Sequence, residues 1–194
     1  MTNVGWKFPR TDGGMESGIN DAGIVTFDGA PLSSLAREVI QNSVDERDDP
    51  TKPVHITFEL QDIFASEIGG RELAQHLDEC IGDWGSDQKA REALQRARTV
   101  LDNEKISFLG VLDRNTTGLA DEKWRGLVKM TGASFKRSEG AGGSFGVGKA
   151  APFTVSPLRT VFYWSAFREQ DRLVEQFQGK AVLVSHSHDF GNCP

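Results

Sequence analysis

Residues 31–46 constrain the fold more than any other stretch of the chain. They read Pro-Leu-Ser-Ser-Leu-Ala-Arg-Glu-Val-Ile-Gln-Asn-Ser-Val-Asp-Glu. Apolar residues at Leu32, Leu35, Ala36, Val39 and Ile40 recur at helical spacing. Pro31 suits a first helical position, where its missing N–H would have no partner anyway. At roughly 100° per residue, Glu38, Asn42 and Asp45 fall within about 60° of one another. A helix packed on a sheet by its apolar stripe would carry these three groups along the rim of its buried face. A carboxylate, an amide and a second carboxylate there suit a general base, a metal ligand and a supporting acceptor. An ordinary amphipathic helix with a solvated acidic face has the same pattern, so the helix alone does not decide between site and surface.

Two later stretches do. Asp113–Leu119 reads Asp-Arg-Asn-Thr-Thr-Gly-Leu and directly follows the apolar run Ile106–Leu112. Gly140–Phe153 reads Gly-Ala-Gly-Gly-Ser-Phe-Gly-Val-Gly-Lys-Ala-Ala-Pro-Phe. In this order the three stretches resemble the motifs of the GHKL ATPases, the superfamily of gyrase, the ninety-kilodalton chaperones, histidine kinases and MutL. REVIQNSVDE is similar to the gyrase and MutL N-box, and GGSFGVGKAAPF to the chaperone glycine box. The resemblance spans about residues 31–168. It implies an α/β (α+β) Bergerat fold, a two-layer sandwich of helices on one face of a mixed, mostly antiparallel sheet.

The resemblance also implies a site for ATP and Mg²⁺. Glu38 would be the catalytic base and Asn42 the metal ligand, since Mg²⁺ takes oxygen donors. Asp45 would support the metal-bound water or the phosphate side. Asp113, an acceptor-only carboxylate closing a buried strand, suits the exocyclic amine of adenine. Gly143, Ser144, Phe145, Gly146, Val147, Gly148 and Lys149 would form a phosphate-covering lid. The Asp113 box departs from the family's D-x-G-x-G. Asn115 stands at the first glycine position and Gly118 comes one residue late, which puts the loop's geometry in question. A P-loop reading of Gly143–Lys149 fails, because Ala150 has no hydroxyl for magnesium and a polar stretch, not a buried strand, precedes the glycines.

The expected function is Mg²⁺-dependent ATP binding and hydrolysis that drives a conformational or dimerisation switch, with an ATP-dependent homodimer in the full-length protein. One alternative is an ATP-binding sensor with little hydrolysis, kept open by the altered Asp113 box. A histidine-kinase catalytic domain is the other, and Glu38 disfavours it.

Composition narrows the partners. The 194 residues suffice for a sizeable core. With 28 acidic against 22 basic residues the net charge is −6, so this domain alone is not expected to grip nucleic acid. No apolar run approaches a membrane span, and no signal-peptide core is present. Cys80 and Cys193 are far apart and form no metal-type pair, which fits a cytoplasmic protein.

Residues 1–30 are read as an irregular N-terminal arm with a short strand at Ile24–Phe27, and 31–194 as the ATP-binding domain of a longer protein. Val54–Leu60 alternates as a half-buried strand with His55 on its polar side. Asp113 follows Asn42 by 71 positions, more than the resemblance to the superfamily leads one to expect. Residues 70–102, with stripes at Leu73/Leu77/Ile81 and Ala90/Leu94/Ala97/Leu101, are therefore read as an inserted helix pair broken near Gly82–Ser86. Ile106–Leu112 is expected to be a strand buried on both faces. Trp124, Leu127, Val128 and Met130 have helical spacing. Arg159–Phe167, Arg172–Gln178 and Lys180–Ser185 are read as a three-stranded meander. His186-Ser-His188-Asp189 has metal-binding composition, but it is set aside for want of a rigid framework.

Overall fold

The computed structural model describes residues 5–8, 16–129 and 148–187. The protein is α+β, and among the described residues its strands form two separate two-stranded sheets, β1 with β2 and β3 with β4. The chain divides into two compact units. One comprises the described residues of Met1–Asp21, Leu60–Leu109 and Val182–Pro194, the other Ala22–Glu59 and Gly110–Ala181.

The first unit is built on a helix pair, α3 (Gly70–Trp84) and α4 (Gln88–Leu101). The break falls where the sequence places it, and Asp87 caps α4 by accepting from the Ala90 N–H at 3.0 Å. Leu73, Leu77, Cys80, Ala90, Leu94 and Ala97 are buried, so the two expected stripes form this core. Gly69 enters α3 with φ +66, a left-handed conformation that suits glycine, and Trp6 Nε1–H donates to Ile68 O beside it at 3.0 Å. The segment 182–187 runs over α3. Trp84 Nε1–H donates to Ser185 O at 2.7 Å, and the Cys80 thiol donates to Val184 O at 3.7 Å. Ser185 N–H in turn donates to Ser17 O at 2.8 Å, which ties in the N-terminal segment.

The second unit holds α1 (Ala22–Val25), α2 (Pro31–Asp45), α5 (Asp121–Val128), α6 (Ala151–Val155) and the hairpin of β3 (Thr160–Glu169) with β4 (Arg172–Ala181). The turn Gln170–Asp171 has both residues at positive φ, the conformation that matches the twist of a two-residue hairpin. Strands β1 (His55–Phe64) and β2 (Lys105–Arg114) contribute their first and last halves respectively to this unit.

Several expectations change. Ile24–Phe27 begins as helix α1, not as a strand. The C-terminal meander is a single hairpin, because β4 runs unbroken from Arg172 to Ala181 and the chain then leaves the ladder. Among the described residues β2 pairs with β1 only and is not a central strand, and Val111 and Leu112 are exposed. On α2 the burial is rotated from the expected stripe. Leu35, Ser34 and Ser43 face inward, while Leu32 and Ile40 are exposed at 65% and 48%. Across the hairpin, Trp164 and its cross-strand partner Phe177 are exposed too. His55 is exposed, as expected. No helix among the described residues is long and apolar enough to cross a membrane.

Candidate functional site

All the described site residues belong to the second unit. The C-terminal end of α2 and the loop after β2 are stitched together by backbone. Arg47 bridges Thr116, Asp48 N–H donates to Asn115 O at 3.1 Å, and Thr117 N–H donates to Glu46 O at 2.9 Å. Lys123 Nζ pairs with the Glu46 carboxylate on the same junction.

This junction fixes Asp113. Ser43 Oγ–H donates to Asp113 Oδ2 at 2.8 Å and Thr116 Oγ1–H donates to Oδ1 at 3.3 Å. Asp113 is itself exposed, so its carboxylate keeps lone pairs on the solvent side. Ser43 escaped the sequence reading. The signal was there: Leu35, Val39 and Ser43 are spaced by four, which puts a hydroxyl on the inward row of the helix.

The departures at 115 and 118 have local explanations. Asn115 adopts φ +64, a region that asparagine tolerates better than other side chains apart from glycine. It therefore meets a conformational demand that glycine meets elsewhere. Its amide adds more: Oδ1 accepts from the Asp49 N–H at 3.0 Å, and Nδ2 faces the carbonyls of Asp49, Lys52 and Pro53 at 3.0–3.2 Å. Asp49 shapes the same turn. Its carboxyl is held below the usual carboxylate range, first by the Thr51 hydroxyl and then by Lys52 and the Thr51 N–H. Gly118 has φ +71, and a Cβ there would lie 2.8 Å from Ala166 O. Only glycine lets the loop pass this close to β3.

Glu38 is half-buried, and its carboxylate lies against Gly148, so that a Cβ at position 148 would collide with it. The first motif therefore touches the last glycine of the third. Asn42 and Asp45 are exposed on the outer part of the same helix edge. Asp45 Oδ1 accepts from Gln41 Nε2 at 2.7 Å. Lys149 Nζ donates to Gly126 O of α5 at 2.9 Å, and burial lowers its pKa. In this arrangement the lysine spans from the glycine box to α5. Gly143, Ser144, Phe145, Gly146 and Val147 lie outside the described residues, as do His188 and Asp189.

Comparison with protein families, curated proteins and solved structures gives no match for this chain.

Proposed function

We propose that the second unit is a GHKL-type site, of Bergerat architecture, that binds Mg²⁺-ATP and hydrolyses it. The observation that carries this reading is the convergence of three motifs that are far apart in sequence. The α2 helix holds Asp113 through Ser43, and it meets Gly148 through Glu38. The motif order and the residue types agree with the family resemblance, and Asp113 and Asn42 are exposed.

Asp113 accepts the adenine amine with the lone pairs that Ser43 and Thr116 leave over. Asn42, exposed one helical turn from Glu38, offers a neutral amide oxygen of the kind Mg²⁺ accepts. An ion held there would supply positive charge against that of the phosphates. Glu38 takes the proton of the attacking water, a role worth about 10²–10⁴-fold in rate. Asp45 orders water on the phosphate side. The glycine box would supply backbone N–H groups to the phosphates, and Lys149 joins them if its ammonium leaves Gly126 O. ATP-dependent pairing of two copies, in a cytoplasmic setting, is the output that the resemblance favours.

Calorimetry with Mg²⁺-ATP and a phosphate-release assay test the proposal. Absence of adenine-nucleotide binding to well-folded protein overturns it. A sensor that binds without cutting is the second reading. It is favoured by the packing of Glu38 against Gly148, which leaves the carboxylate less room to hold a water.

A further inference from the structure

A second cluster lies in the first unit, on residues that the nucleotide site does not use. His76 and Glu79 sit at i and i+3 on α3, hence on one face of the helix. His186, 110 positions after His76, comes down onto that face from the 182–187 segment. His76 and His186 are 2% and 8% exposed, whereas Glu79 reaches the rim.

The ligand atoms converge. His76 Nδ1 lies 2.9 Å from His186 Nε2, and Glu79 Oε2 lies 3.6 Å from the first and 3.9 Å from the second. Both carboxylate separations are too long for hydrogen bonds. They are the right size for donors that share a cation. The in-plane point equidistant from the three atoms is about 2.0 Å from each, close to the Zn–N and Zn–O bond length, and an ion drawn out of that plane toward a fourth ligand needs the donors to close up by a few tenths of an ångström. With ~2.0 Å bonds, tetrahedral ligand atoms stand roughly 3.3 Å apart and adjacent octahedral ones roughly 2.9 Å. Two of the three separations exceed both values and sit nearer the tetrahedral one.

The surroundings prepare the same site. His186 Nδ1–H donates to Val184 O at 2.9 Å, which leaves the Nε2 lone pair facing His76. A second hydrogen bond of this kind commonly orients a metal-bound histidine. Phe8 packs edge-on against both rings, at 4.5 Å from His76 and 5.1 Å from His186, and gives the cluster an apolar wall. Without a metal, His76 Nδ1–H donates to His186 Nε2. With one, His76 takes the Nε2–H tautomer and both facing lone pairs bind, so that loading releases no proton from either ring.

We infer that His76, Glu79 and His186 form a zinc site that fastens the 182–187 segment to α3. Two imidazoles and one carboxylate form a donor set that suits zinc better than magnesium or calcium. A water completes the tetrahedron from the side on which Glu79 meets solvent. The role is structural: the ion closes a loop of more than a hundred residues.

The test uses the whole chain, stripped with chelator, without nucleotide and in excess Mg²⁺. Titration with zinc chloride is expected to show one equivalent bound with micromolar or tighter affinity and to raise the melting temperature. Glu79→Gln and His186→Ala should each weaken zinc at least about tenfold, while His55→Ala, on exposed β1, leaves it unchanged. Absence of stoichiometric binding overturns the inference, as does binding that Glu79→Gln leaves intact. If His186→Ala does not fold, Glu79→Gln, at the rim of the cluster, decides the matter alone.

Discussion

Ser43 and Asp113 are joined by a 2.8 Å hydrogen bond across 70 positions of sequence. The hydroxyl is buried and the carboxylate is exposed, so the bond, with that from Thr116, aims a side chain that faces solvent. Asp113→Asn places a donor where the adenine amine needs an acceptor, an opposition worth about 1–3 kcal/mol. Affinity for ATP should fall roughly ten- to a hundredfold, and that for GTP less. Ser43→Ala should cost only a few-fold, because Asp113 remains and Thr116 still holds its Oδ1. Calorimetric titration of both variants checks this, and unchanged affinity in both would remove adenine from Asp113.

Glu38 and Asn42 are one turn apart and should fail differently. Glu38→Ala is expected to keep ATP affinity within a few-fold while hydrolysis drops by about 10² or more. Asn42→Ala should weaken Mg²⁺-ATP binding itself. Phosphate release and calorimetry on the two variants give the crossed pattern. Parental turnover in Glu38→Ala would favour the sensor reading.

Gly118 offers a test of the loop without nucleotide. Gly118→Ala combines a left-handed backbone with a Cβ placed against Ala166 O. The expected loss is about 1–3 kcal/mol of stability, measured by urea unfolding. A change within error would mean that the loop shifts freely away from β3.

Asn115 separates conformation from hydrogen bonding. Asn115→Gly keeps the positive φ but loses the amide that holds the 49–53 turn; Asn115→Ala loses both. Alanine should therefore be the more damaging, by about 1 kcal/mol, in the same unfolding assay. Equal losses would mean that the backbone conformation contributes little.

Asp49 gives a pH signature. Its folded-state pKa lies below the ordinary value of 3.8 because Thr51, first, and Lys52 favour the charged form. Its contribution is complete above that ordinary value and fades as pH falls through the lower, folded one. Unfolding curves for the parent and Asp49→Asn should converge on acidification below about pH 4. A constant gap would show that the aspartate acts through packing alone.

The sequence revealed what short-range periodicity controls. The α3–α4 pair, with its break and its buried rows, could be read directly, because Leu73, Leu77, Leu94 and Ala97 repeat at helical spacing. The reach of the strands could not. Ile106–Leu112 has the composition of a central strand, yet whether it is central depends on neighbours that no local pattern names. Burial on α2 was misjudged for a related reason: Ser34 and Ser43 are polar, but they face inward because Asp113 and the surrounding backbone supply partners. At the proposed site the motif residues stand out in the sequence, whereas the support from Thr116 depends on the turn after Asp113. His76 carried no signal at all, since its partner His186 is far along the chain.

The chain passes between its two units four times. Neither unit is therefore a piece of gene that a single cut can lift out. The order of synthesis is also inverted. A ribosome that has released residues up to 181 has made all of the second unit. The first unit, which holds Ser17, still lacks the 182–187 segment whose Ser185 N–H must reach Ser17 O. Ser17 waits for a partner made 168 positions after it.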